Sequence, residues 1–269
     1  MIQPVTSGKA LIEQIDRCCA DRPTLWWLGQ CGFVIKFRDI IFYLDPFLSP
    51  SSDRMAASPL EASMVEHAGL VLATSAHPHH MDIEALPVLL NASPRAKLVL
   101  PKSVTGRAVA AGIPLDRLTT TDAGLRVEFF SGFDYCRIYA IPGAIPAAGP
   151  GVGYTPAGGC SDLGYLIRFA GVTIFTAGGS ANYDGLVDRL RPYNVTLALV
   201  PIGDDCFSIN EACQLAEDIG AAWIAPMNFG TMVGSMADAS GFENHLLGQR
   251  PLQGFKIFRI GEGWRIPGD

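Results

Sequence analysis

The chain has 269 residues, of which 49% are hydrophobic and 17% charged, so it carries ample material for a large buried core. A formal net charge of −6 supplies no basic stripe to neutralise phosphates and argues against nucleic-acid binding. Apolar runs such as 197–202 fall well short of the roughly 20 residues of a spanning helix, so no membrane segment is expected.

The N-terminus, with Lys9, Glu13, Asp16 and Arg17, lacks the apolar core of a signal peptide. Leu11, Ile12, Ile15 and the Cys18-Cys19 pair recur at helical spacing, and Pro23 should end that helix. Strands are expected over 25–28, 33–37 and 40–44, with turns at 29–32 and at Arg38-Asp39. A strand over 70–73 leads into a helix over 82–90, with Asp82 as its N-cap and Pro87 disfavouring its second half. Residues 97–100 read as a strand, 103–111 as a helix, and 127–130 with 137–141 as paired strands. A Gly/Pro/Ala loop then crosses 142–159.

The second half opens with a hairpin, 163–169 and 172–175, turning at Ala170-Gly171. Helices over 182–190 and 208–219 alternate with strands over 196–200 and 222–225, and 255–260 is expected to close the sheet. Ser208 and Glu211 have capping-box spacing. Strands lead each half and helices are interleaved later, which predicts two sheets face to face with helices outside, in a single domain over 1–269. Seven cysteines without a CxxC pair suit reduced thiols in a cytoplasmic protein.

Three segments carry the chemistry. They are Trp27-Leu-Gly-Gln-Cys-Gly-Phe33 with Asp45 downstream, the stretch from Leu72 to Leu86 holding His77, His79 and His80, and Gly164 through Gly178-Gly179-Ser180. This series resembles the metallo-β-lactamase superfamily, most closely its L-ascorbate-6-phosphate lactonase-like branch. The resemblance implies an α/β fold, a four-layer αββα sandwich, and a homo-oligomer. It also implies a metal-dependent hydrolase whose T-H-x-H-x-D-H loop points ligands at two metals that activate water.

The ligand positions are largely replaced. Thr74, His77 and His80 match the motif, whereas Ser75 stands for its first histidine and His79 for its aspartate. Further ligand positions of the family fall on Ile145, Gly179 and Asn228. The family's dinuclear site needs five histidines and two aspartates, and this chain has five histidines in all, counting the remote His67 and His245. An intact dinuclear site is therefore not expected.

Two readings stay open. In one, the protein is a non-catalytic or small-molecule-binding relative whose histidines only hydrogen-bond locally. In the other, His77, His79 and His80 hold one zinc or manganese ion and cleave a lactone, ester or phosphoester. Asp82, Cys160 and Asp162 are further pocket candidates, with Cys160 a nucleophile that Asp162 could assist. Asp204, Asp205 and Cys206 form a second cluster at a strand end, and Gln30 is either a turn residue or a pocket residue.

Overall fold

The computed structural model describes residues 1–144, 159–235 and 237–268. The first half runs α1 (Gly8–Arg17), β1 (Thr24–Gly29), β2 (Gly32–Phe37), β3 (Ile40–Leu44), β4 (Leu70–Leu72), α2 (Ala85–Ala92), β5 (Lys97–Pro101), α3 (Thr105–Ala110) and β6 (Leu118–Thr121). Next come β7 (Arg126–Ser131), β8 (Asp134–Pro142), β9 (Leu163–Phe169), β10 (Val172–Thr176), α4 (Leu186–Leu190) and β11 (Leu197–Pro201). The chain closes with α5 (Ile209–Asp218), β12 (Trp223–Met227), α6 (Ala239–Gln249), β13 (Gly254–Phe255) and β14 (Gly263–Arg265).

Two seven-stranded sheets result, in the orders β14-β1-β2-β3-β4-β5-β6 and β13-β12-β11-β10-β9-β8-β7. Each joins an antiparallel meander to a parallel run, β3 to β6 in one and β10 to β13 in the other. The strand period of two sorts side chains between layers. From β1 to β3, Leu25, Trp27, Phe33, Ile35, Phe42 and Leu44 face the space between the sheets. The alternate residues Trp26, Leu28, Val34, Ile41 and Tyr43 face α1 and α2. All three strands are buried along their whole length, because both faces are covered. Leu186, Ala212, Ala216 and Phe242 of α4, α5 and α6 cover the outer face of the second sheet. The layers therefore stack as the αββα sandwich expected. Each large apolar side chain buried this way contributes about 1.5–3 kcal/mol.

Several boundaries differ from the sequence reading, each for a local reason. Helix α1 ends at Arg17, well before Pro23, where the buried Lys36 ammonium donates to the Ile15 and Asp16 carbonyls at 2.8 Å each. Helix α2 starts at Ala85, which puts Pro87 in its first turn, where its missing N–H breaks no bond. Gly185, at φ 89°, confines the 182–190 helix to Leu186–Leu190. The 255–260 strand shrinks to β13, and β14 pairs instead with β1. Strand β6 and helix α6 were not anticipated. The capping box at Ser208 and Glu211 forms with both reciprocal bonds. Among the described residues no helix is long and apolar enough to cross a membrane.

Candidate functional site

The loops that leave β4, β10, β11 and β12 at their C-terminal ends meet the segment before β9 at one edge of the sandwich. They enclose a cleft of about 380 Å³ lined by Ser75, His77, His79, His80, Asp162 and Gly179, with Asp205, Cys206, Asn228 and Ser235 completing the wall. The described ligand positions read from sequence, Ser75, Gly179 and Asn228, thus converge with the three histidines. Ile145 lies outside the described residues.

His80 is held by two buried partners. Its Nδ1 lies 2.7 Å from Asp45 Oδ2 and 3.0 Å from Thr74 Oγ1. Asp45 is fully buried and also accepts from the Thr74 N–H at 2.8 Å and the Thr74 hydroxyl at 2.7 Å. Asp45 holds this position with a left-handed backbone, φ 40°. Burial opposes a charge on His80, but the charge and hydrogen bond of Asp45, helped by Asp162, outweigh it and raise the imidazole pKa. The Nδ1–H therefore points at Asp45, and in the neutral ring the lone pair sits on Nε2.

That lone pair faces a crowded wall. A Cβ on residue 179 would lie 2.6 Å from His80 Nε2, closer than a Cβ atom approaches a neighbour. Next to it, a Cβ on Gly178 would lie 2.7 Å from Thr74 Oγ1. The imidazole thus packs where an aspartate at 179 would begin.

The other two histidines are arranged differently. The His79 backbone N–H donates to His77 Nδ1 at 3.3 Å, so the hydrogen of a neutral His77 sits on Nε2. His79 packs its ring on Phe47, 4.8 Å between centroids. Burial, then the neighbouring histidines and Arg54, pull the His79 pKa down to about 4. His77 is lowered too, by burial first and then by His80. Among the described residues no group of three or more His, Cys, Asp or Glu side chains is set to hold a metal ion. As arranged, the described donors do not fit a metal centre.

Two pocket candidates are corrected. Asp82 is buried away from the cleft, where it accepts from the Leu48 and Ser49 N–H groups, the Ser49 hydroxyl and the first turn of α2. Its capping role leaves it no free oxygen. Cys160 is fully buried in the core between the sheets, and burial pushes its thiol up to about 11, which suits no nucleophile. Asp162 does reach the cleft. Of the second cluster, Asp205 and Cys206 reach it too, and the Asn228 amide donates to the Cys206 sulfur at 3.6 Å. Gln30 lies behind the wall, its carbonyl accepting from the Asn228 N–H at 3.0 Å. The side-chain amide of Gln30 is buried with no partner among the described residues. His67 and His245 lie elsewhere, bonded to Tyr43 with Asp16 and to Arg250 respectively.

No protein-family model matches the chain. It is 29% identical over 249 residues to a UPF0173 metal-dependent hydrolase of Methanoregula boonei, covering 90% of this chain and 98% of the relative. The sandwich also superposes on YhfI of Bacillus subtilis, a metallo-β-lactamase fold protein, with a TM-score of 0.64 at 12% identity over 91% and 99% of the two chains. The chain has the metallo-β-lactamase fold. A second solved structure on which the sandwich superposes is Igni18, a metallo hydrolase of Ignicoccus hospitalis. It gives a TM-score of 0.69 at 18% identity and covers 92% of this chain and 99% of its own. At such identities the likeness concerns the fold, and chemistry must be argued from the cleft.

Proposed function

We propose that this protein binds a polar small molecule in the cleft and has given up the dinuclear metal chemistry of its fold. The observation that carries this reading is the 2.6 Å between His80 Nε2 and the place of a Cβ on residue 179, which leaves no room for a bridging carboxylate. Ser75, Asn228 and Ser235 offer hydroxyl and amide groups there, and Asp162 and Asp205 offer acceptors. Such a lining suits a ligand rich in hydroxyl or amine donors. The core shared by both sheets supports a single domain.

A second reading, a mononuclear hydrolase of a lactone, ester or phosphoester, is favoured by one feature of the same site. Asp45 fixes His80 as a carboxylate fixes a metal-bound histidine, with Nε2 presented. The hydrolase name of the Methanoregula relative supports it as well. It requires the His77 and His79 rings to turn and share one zinc or manganese with His80.

Elemental analysis after incubation with excess zinc and gel filtration separates the two. The first reading expects far less than one metal per chain, unchanged in His77→Ala. About one equivalent, lost in both His77→Ala and His80→Ala, would replace it with the second.

A further inference from the structure

Strand β7 ends the second sheet, and nothing among the described residues pairs with its outer edge. Its residues alternate between exposed and half-buried, with Arg126, Glu128 and Phe130 exposed. The Ala140 N–H donates to the Leu125 carbonyl, and the β7–β8 register pairs Val127 with Ile138. Antiparallel alternation then turns the backbone groups of Val127 and Phe129 toward β8. Those of Arg126, Glu128 and Phe130 point outward, free to pair. Edges of this kind are normally blunted by charged side chains, a proline, a bulge or a cover. Here the edge carries the exposed Arg126–Glu128 ion pair, 3.4 Å apart, and is flanked by exposed apolar side chains: Leu125 at 55%, Phe130 at 65%, Tyr135 at 49%, and Phe133 fully exposed at the hairpin tip.

We propose that β7 is a self-association edge, pairing antiparallel with β7 of a second copy about a two-fold axis at Val127. Charge selects the second copy and its register. Hydrogen bonding requires outward-facing residues to oppose one another, so the axis can move only in whole steps along the strand. Centred on Val127, Arg126 opposes Glu128 of the second copy, twice by symmetry. One step either way sets Arg126 against Arg126 or Glu128 against Glu128, which repel. The favoured register also carries Phe130 toward Gly124 of the second copy, where a Cβ would meet nothing within 4 Å. The two seven-stranded sheets would then run on as one across the axis.

The test is sedimentation equilibrium of the full chain over a concentration series, with Glu128→Arg and Arg126→Glu as variants. Both side chains are exposed, so the fold is expected to survive, and circular dichroism checks it. The wild type should dimerise, and each single variant should raise the dimer Kd by about tenfold or more. An equimolar mixture of the two variants should regain the dimer, because every cross-strand pair is again opposite in charge. A monomeric wild type, single variants that dimerise as tightly as the wild type, or a mixture that stays monomeric would each overturn the proposal.

Discussion

Two histidines of this protein sit in the same chemical arrangement and behave oppositely. His80 places Nδ1 at 2.7 Å from Asp45, and His67 places Nδ1 at 2.6 Å from Asp16. Each also has a hydroxyl neighbour, Thr74 for His80 and Tyr43 for His67, whose hydroxyl lies 2.7 Å from Nε2. Yet the pKa of His80 is raised and that of His67 lowered. In both, burial is the largest influence and disfavours the charge. The neighbouring charges decide the outcome: Asp45 is fully buried, whereas the Asp16 side chain is 51% exposed and screened by water, and the Lys36 ammonium adds to the cost of charging His67. A carboxylate beside a histidine is thus not by itself the mark of a functional site. The His67 set pins α1 to β3, while the His80 set forms the wall of a cleft.

The change expected to break this contrast most severely is Asp45→Asn. It removes the buried charge that holds both Thr74 and His80, and losing one partner of a buried pair costs about 3–5 kcal/mol. Urea unfolding monitored by fluorescence should show it as a lower midpoint. A cost below about 1 kcal/mol would mean that Asp45 is far better hydrated than its burial implies. Gly179→Ala should cost less, about 1–3 kcal/mol, by overpacking His80. His80 cannot swing aside cheaply, since Nδ1 is tied to Asp45 and Thr74. The same unfolding assay tests this, and a neutral Gly179→Ala would show that the imidazole yields to a side chain at 179.

The same contrast marks what the sequence disclosed. Strands β1 to β3 were legible because β-rich runs are cut by turns at Gly29–Gly32 and Arg38-Asp39, where Gln30 and Arg38 have positive φ. Strand β6 was not, because Leu-Thr-Thr-Thr shows neither alternation nor an apolar run. Helix α6 was hidden by Gly241 and Gly248 inside it. In the site, the motif located Ser75, His77, His79, His80, Gly179 and Asn228 in one cleft, since the fold fixes which loops meet. It could not say where side chains point, so Cys160 was taken for a cleft residue although it faces the core. The Asp45–His80 bond spans 35 residues and depends on the left-handed backbone at Asp45, and neither is written in a local pattern.

The smallest expected effect sharpens the comparison through pH, measured in chelator-containing buffer. For His80 the folded pKa lies above the usual 6.5, so its pairing stabilises fully below 6.5 and that contribution is lost as pH rises through the folded value. The stability gap between wild type and Asp45→Asn should therefore widen as pH falls toward 6.5. For His67 the folded pKa lies below 6.5, so the unfolded chain takes up the proton first and the wild type loses stability as pH falls below that value. His67→Gln removes this proton uptake, so its stability relative to wild type should improve on acidification. Thermal midpoints of the three proteins across this range would show two gaps moving in opposite senses. If both gaps moved the same way, screening of Asp16 would not be what distinguishes the two histidines.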